Sequence, residues 1–338
     1  MSNESYRLAG VDLEEGSKVK QNIAAFSQST HGPKVLNTKN SFAGLYRLDG
    51  YEEPVLVSSI DPVGTKLIVA NYLGRYESLG VDLVNLNIND ILTCGARPLF
   101  FLDYISMGKL KPSIIEDLMR GMARACQEAQ CSIVGGDTPQ MPGMYQENSF
   151  DLVGFVVGVV ERKALLDTST ITSGDLLIGV PSSGLHTNGF SLVRHVLKVD
   201  ENPKILNNHY PELGHTLGDE LLIPHASYYP TLEPVLQFIK GMAHITGGGL
   251  LENLPRILPE DLSAKIITGT WRIPAIFNLI QKQGKVENDE MYRVFNMGLG
   301  MILACSEDKV AEVQNLLPET SVIGHVIPRH AGARVSLE

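Results

Sequence analysis

The chain has 338 residues, a formal net charge of -10 at pH 7, 43% hydrophobic residues and 20% charged residues. That length exceeds what a single hydrophobic core usually serves, so two domains are expected, and the composition is that of a folded rather than a disordered chain. The acidic balance excludes any general attraction to nucleic acid or to an anionic membrane, and the longest nearly apolar run, residues 152–160, is far short of the roughly 20 residues that span a bilayer.

In chain order, Met1-Ser2-Asn3-Glu4-Ser5 lacks the basic and apolar regions of a secretory signal, which makes a cytoplasmic protein the expectation. Residues 1–45 are polar, with helical spacing only around 18–26, and are expected to form an amino-terminal arm. Residues 54–60 predict a buried strand. Apolar residues then recur at three- and four-residue intervals over 80–94, predicting a helix with Asp82, Asn89 and Thr93 on one face and Asp90 beside it. A strand over 98–107, a helix over 112–130 opened by Pro112, a short strand over 131–134 and a glycine-rich loop over 135–145 lead to a strand over 151–161.

The small, polar stretch 166–175 marks a boundary, giving an amino-terminal domain over 46–168 and a carboxy-terminal domain over 169–338. In the second, strands are predicted over 176–180, 264–267, 299–304 and 322–327. Helices are predicted over 188–199, 226–240, 250–258, 274–283 and 306–317, with a polar segment over 200–218. The mix predicts the α+β class in both domains. Cys94, Cys126, Cys131 and Cys305 form no C-x-x-C pair and are expected as buried, reduced thiols.

Several short segments carry residue types suited to phosphate chemistry. Asp61 closes a strand ahead of Gly64-Thr65-Lys66, where backbone N–H groups and a cation suit phosphate oxygens, although the order is not that of a Walker A loop. A plain turn with a solvated lysine is the other reading. Asn89 and Asp90 are oxygen donors of the kind Mg2+ takes, or else a helix-end cap. Asp137 follows Gly135-Gly136 and precedes Met141-Pro142-Gly143-Met144-Tyr145, a conformationally restricted loop. Ser182-Ser183-Gly184-Leu185-His186-Thr187-Asn188-Gly189 suits either an anion site or a helix cap. His244 precedes Thr246-Gly247-Gly248-Gly249, and three glycines are costly to order unless a ligand approaches closely; the histidine suits proton transfer, oxyanion binding or a structural place.

Taken in this order, the segments resemble the aminoimidazole ribonucleotide synthetase (phosphoribosylformylglycinamidine cyclo-ligase) family. The resemblance runs from Tyr6-x-x-Ala9-Gly10-Val11-Asp12 through Phe100-Phe101-Leu102-Asp103-Tyr104 and His186-x-Asn188-Gly189-Phe190-Ser191-Leu192. It continues to Glu290-Met291-Tyr292-Arg293-x-Phe295-Asn296-x-Gly298-x-Gly300-Met301. It implies a two-domain α+β ATP-binding synthetase fold and a homodimer whose amino-terminal domains pair through a β-barrel-like interface. The implied reaction closes formylglycinamidine ribonucleotide, a phosphoribosyl amidine, to aminoimidazole ribonucleotide with ATP and Mg2+, through an iminophosphate. Carried over by position, Asp61, Asp90 and Asp137 would hold metal. Asp12, Asp61, Gly64, Thr65, Lys66, Asn89, Asp90, Gly136 and Asp137 would bind nucleotide, Lys66 facing the phosphates. Ser183, Gly184, His186, Asn188, Thr246, Gly247, Gly248 and Gly249 would bind substrate, and His244, Lys66 and Asp90 would be catalytic. Where the family usually reads T-D-G-V-G-T-K this chain has Pro62 in place of a glycine, and where it usually reads G-G-E-T-A-E-M-P-G-M this chain has Asp137, Pro139 and Gln140. Two competing readings are a related synthetase phosphorylating another acceptor and a nucleotide-binding protein without catalysis.

Overall fold

The computed structural model describes residues 13–36, 43–146, 149–329 and 332–338. Asp12 and the rest of the Tyr6–Asp12 motif lie outside the described residues. The chain divides into two units, Met1–Ile91 with Ala96–Arg162 and Leu92–Gly95 with Lys163–Glu338, a few residues before the expected 168/169 boundary.

The first unit contains α1 (Leu13–Ser29), β1 (Pro54–Pro62), α2 (Lys66–Leu73), α3 (Glu77–Leu92), β2 (Arg97–Met107), α4 (Pro112–Glu128), β3 (Ser132–Asp137) and β4 (Phe150–Glu161). Its sheet runs in the order β1-β4-β2-β3, antiparallel except for β2–β3, which α4 connects as a crossover. Along β4, buried Leu152, Gly154 and Val156 alternate with half-buried Val153, Phe155 and Val157, as a strand with two different faces requires. Gly154 and Gly158 lie where α3 and β2 come closest to this strand. An added Cβ would stand 2.4 Å from Phe101 Cζ at the first and 2.5 Å from Ile91 Cδ1 at the second. Helix α2 was not expected from the sequence; Gly74, at φ 62°, ends it in the left-handed conformation that favours glycine.

Strand β1 runs two residues past its expected end, so Asp61 and Pro62 belong to it, opposite Gly154 and Val153. Because β1 is an edge strand, a proline that lacks an N–H is tolerated there.

The second unit is built on β5 (Leu176–Pro181), α5 (Phe190–Val196), β6 (His209–Tyr210), β7 (His215–Thr216), α6 (Leu217–Leu221), α7 (Tyr229–Leu232), β8 (Gly241–His244) and α8 (Gly249–Asn253). Strand β9 (Leu262–Ile266), α9 (Ala275–Gly284), α10 (Asn288–Val294), β10 (Leu299–Cys305), α11 (Val310–Leu316), β11 (Ser321–Pro328) and β12 (Val335–Leu337) complete it. Six of these strands form a sheet in the order β12-β9-β11-β5-β10-β8, with only β12–β9 parallel. Alternate residues of β10 enter separate cores: Leu299, Ile302 and Ala304 pack with Leu250, Leu254 and Ile323, while Met301, Leu303 and Cys305 pack with Tyr228, Leu232 and Val313. Both faces of the sheet are therefore covered.

The expected helix over 226–240 is broken. Pro230 opens α7, Pro234 opens a 3-10 turn over Glu233–Phe238, and β8 follows. Pro255 likewise ends α8 early, in a 3-10 turn over Leu254–Ile257. All four cysteines are free, with Cys126, Cys131 and Cys305 buried.

Candidate active site

In the first unit the strand register lines up one row of residues across the sheet: Asp61 on β1, Gly154 on β4, Asp103 on β2 and Gly136 on β3. Residues directly opposite one another share a face, so Asp61 and Asp103 point to the same side, that of α3. Ser59, two residues before Asp61 and on the same face, donates its hydroxyl to Asp90 Oδ2 of α3 at 2.9 Å. Asn87 Nδ2 donates to Leu83 O at 2.9 Å and more weakly to Asp61 O at 3.4 Å, tying the helix to the strand. Asp61 and Asp90, both partly exposed, are thus brought to one region.

Asp103 is 5% exposed. Burial pushes its carboxyl up to about 7, the negative charge of Asp137 adds to the rise, and a backbone hydrogen bond opposes it. Gly136 permits this approach, since an added Cβ there would lie 2.5 Å from Asp103 Oδ1. The sequence motif contained Asp103 without a role for it; a carboxylate at an inward position of an apolar strand is the signal that marks it.

Three expectations for this unit are corrected. Lys66 does not face the solvent or a phosphate: it is 0% exposed, and its Nζ pairs with Asp82 at 2.8 Å in the interior. Burial lowers its pKa and Asp82 raises it part of the way back. Asn89 is also wholly buried, so of the Asn89-Asp90 pair only Asp90 offers an accessible oxygen. Asp137 is exposed, accepts the N–H of Thr138 at 2.9 Å, and stands opposite Tyr104 in the register, on the other face from Asp61. Asp61, Asp90 and Asp137 therefore do not form one ligand set. Among the described residues, the group of three potential ligands whose atoms lie within 4.8 Å of one another is His186, His225 and His244. Gly64 and Thr65 open α2, with Thr65 exposed at the N-cap.

In the second unit, β5 leads into the Ser182–Gly189 turn. Helix α5 begins only at Phe190, after Gly189 at φ 78°, so Ser182 and Ser183 do not cap it. Asn296 holds the turn instead: its Nδ2 donates to Gly184 O at 2.9 Å, and its Oδ1 accepts from Ser182 Oγ at 3.1 Å and from Gly298 N–H at 2.9 Å. Ser183 Oγ donates to Pro224 O at 2.6 Å. His186 is buried at φ 59°, in the left-handed region that few residues other than Gly, Asn, Asp and His adopt. Its Nε2 accepts the N–H of Ser183 at 3.2 Å.

Next to this turn lies the glycine loop. Buried Asn253 donates to Gly247 O at 3.0 Å and Gly249 O at 2.9 Å, which orders three glycines that would otherwise be costly to fix. A Cβ added at Gly247 would lie 3.2 Å from Asn188 Oδ1, so the two loops adjoin. Gly247 is exposed, and Thr246, Gly248 and Asn188 are partly so. The structure thus brings Ser183, Gly184, His186, Asn188, His244 and Thr246 to Gly249 into one neighbourhood. A cavity of about 500 Å3 borders it, lined by Ser182, Ser183, Glu220, Trp271, Arg272 and Gly298 among others. His244 and the glycines do not line that cavity.

The fold of this chain has counterparts among solved structures. Solved structures of thiamine-monophosphate kinase from Stenotrophomonas maltophilia superpose with a TM-score of 0.70 at 17% identity, covering 94% of this chain and 95% of that one. Hydrogenase maturation protein HypE in complex with ATP superposes at 0.68 and 17% identity, covering 93% and 88%. These likenesses establish the fold.

The family described as AIR synthase related protein matches through its N-terminal domain over residues 41–160 and its C-terminal domain over residues 172–336. A phosphoribosylformylglycinamidine cyclo-ligase from Carboxydothermus hydrogenoformans is 50% identical over 319 residues, 92% of each chain. One from Pseudothermotoga lettingae is 48% identical over 338 residues, covering 97% of this chain and 98% of that protein. The chain belongs to the phosphoribosylformylglycinamidine cyclo-ligase family.

Proposed function

We propose that the protein closes formylglycinamidine ribonucleotide to aminoimidazole ribonucleotide at the expense of ATP, in the cytoplasm. The observation that carries this is identity of 48% to a named cyclo-ligase across 97% of this chain and 98% of that protein. The chemical obstacle is that an amide oxygen is a very poor leaving group. Transfer of the γ-phosphoryl group of ATP to that oxygen forms an O–P bond as the bond to ADP breaks, and loss of the amide N–H proton gives an iminophosphate. The amidine nitrogen then attacks the activated carbon, phosphate leaves with the oxygen, and the attacking nitrogen loses a proton. Such a sequence needs positioning and charge neutralisation more than a covalent enzyme group.

The donor set of the first unit suits Mg2+, which takes one or two carboxylates and completes its shell with water and phosphate oxygens. Asp61 and Asp90 are partly exposed carboxylates beside one face of the sheet, Asp90 accepting the hydroxyl of Ser59 two residues before Asp61, and they are the residues that would hold the ion. The ion would neutralise polyphosphate charge. Asp103, in the same row, adds a carboxyl whose proton is poised near neutrality. In the second unit, Ser183, Gly184, Asn188 and the Gly247–Gly249 backbone would orient the ribonucleotide, and His244 would take the proton released on ring closure.

A homodimer accompanies this reading. Leu56 and Ile60 on β1 are 61% and 65% exposed, on the sheet face opposite Asp61. The register sets Ile60 beside half-buried Phe155 and Leu102, so an apolar face stands open for a second copy. The enzymatic reading is tested by incubating purified protein with ATP, Mg2+ and formylglycinamidine ribonucleotide. One aminoimidazole ribonucleotide should appear per ADP formed; absence of cyclised product would overturn it.

A further inference from the structure

The polar segment 200–218 supplies part of the wall of the cavity of about 500 Å3 in the second unit. Strands β6 and β7 pair His209 with Thr216 and Tyr210 with His215, so Glu212 lies in the bend between them. Helix α6 follows at once, capped by Thr216, whose hydroxyl accepts the N–H of Asp219 at 3.1 Å. Buried Leu217 and Leu221 anchor that helix, and Glu220 lines the cavity.

The Glu220 side chain is 9% exposed. His215 Nε2 stands 2.6 Å from its Oε2 and donates to it, since an ionised carboxylate can only accept. Its Oε1 has no hydrogen-bond partner among the described residues and lies beside Gly184, 3.8 Å from where a Cβ on that glycine would stand. A carboxylate so deeply placed is costly unless its charge is met, so the unused oxygen is a strong acceptor for a donor entering the cavity.

Trp271, the one tryptophan of the chain, forms another part of the wall. Its Nε1 donates to Met297 O at 2.9 Å, and its ring meets Tyr292 edge-on, with centroids 6.5 Å apart and planes 86° from parallel. The indole is thus fixed with its polar atom already used, and what it offers a ligand is ring surface. Glu212 and Glu319 bring the lining carboxylates to three, against the single guanidinium of Arg272. That balance repels phosphates and carboxylates, while Trp271, Leu213, Ile223 and Leu299 give apolar contact that a small hydrated cation cannot use. The volume lies within the roughly 300–1,000 Å3 of small-molecule sites.

We infer that this cavity binds a planar organic cation, of the amidinium, guanidinium or protonated aminoheteroaromatic kind, with Glu220 as its acceptor and Trp271 as its stacking surface. It borders the candidate active site at Ser183, but neither His244 nor the glycine loop lines it, so the inference does not depend on the reaction proposed above. Glu220 and Trp271 share one cavity only through the fold, which is why neither stood out in the sequence.

The test titrates the purified full chain with benzamidine, read by calorimetry and by tryptophan fluorescence, which reports on this cavity alone. Benzamidine should bind saturably and change the fluorescence. Benzoate, of the same shape and opposite charge, should not bind, and cyclohexylamine, a cation without a flat face, should bind roughly tenfold more weakly. Glu220→Gln, which keeps the shape and can still accept from His215, should weaken benzamidine by roughly tenfold to a hundredfold, the worth of a hydrogen bond to a charged group. No saturable binding of benzamidine, binding without a change in fluorescence, equal binding of benzoate or cyclohexylamine, or undiminished affinity in Glu220→Gln overturns the inference. The comparison of the three compounds is made on the unaltered protein, so it decides the matter even if the variant does not fold.

Discussion

Lys66 shows how one residue can be read correctly for type and wrongly for place. A lysine after Gly-Thr at a strand end suggests a cation waiting for phosphate, yet its Nζ lies 2.8 Å from Asp82, with neither side chain exposed. Nothing in the Gly64-Thr65-Lys66 triplet announces this, because the partner comes from the following helix and only the fold joins them. The nearness of Asp61 and Asp90 was legible because each sits close to the end of an element that apolar spacing outlines, whereas the far side of the sheet on which Asp137 falls depends on register, which the sequence does not print. The Lys66–Asp82 pair has a measurable consequence. Removing one member leaves a buried charge uncompensated, at a cost of about 3–5 kcal/mol, while replacing both with apolar residues of similar size is often neutral or better. Lys66→Met should therefore move urea unfolding to markedly lower concentration, and Lys66→Met with Asp82→Leu should restore most of the loss. A single variant as stable as the parent would show that the pair is not a buried ion pair in solution.

At the scale of elements, long and strongly periodic segments were legible: β2, α3, α4 and β4 fall within a few residues of where apolar spacing puts them. The failures share a cause, in that short elements punctuated by proline carry too few periods to separate helix from turn. Residues 226–240 satisfied a helical pattern while Pro230 and Pro234 divided them, and β8, which carries His244, was lost in the process. Helix α10 went unnoticed although Asp289 and Glu290 in its first turn are a start signal. What the sequence pattern could not show is how closely α3 and α4 cross. A Cβ on Gly80 would stand 2.1 Å from Leu118 O, and one on Gly121 would stand 2.0 Å from Glu77 O, so the two backbones touch at paired glycines. Neither contact can be relieved by rotating a side chain. Gly121→Ala should cost roughly 1–3 kcal/mol, the usual penalty for overpacking, despite the better helix propensity of alanine. Thermal and urea unfolding of the variant would measure it, and a stabilised protein would mean that the helices separate without loss.

For the whole molecule, the open face of the first unit's sheet sets an electrostatic problem as well as an apolar one. In the homodimer proposed above, each copy would carry a formal charge of -10, so two copies would repel, and burial of Leu56, Ile60 and the neighbouring β4 and β2 side chains would have to exceed that repulsion. Two outcomes follow together. Ile60→Lys, placing a charge on the open apolar face, should give monomers by sedimentation equilibrium at concentrations where the parent is dimeric, with its far-UV spectrum unchanged. Added salt should tighten the parent dimer rather than loosen it, because screening reduces repulsion between like-charged copies and leaves apolar contact intact, with most of the effect complete once the Debye length falls to about 10 Å near 0.1 M. A dimer that dissociates as salt rises would instead be held by ion pairs across the interface, which the uncharged side chains of Leu56, Ile60, Phe155 and Leu102 cannot supply.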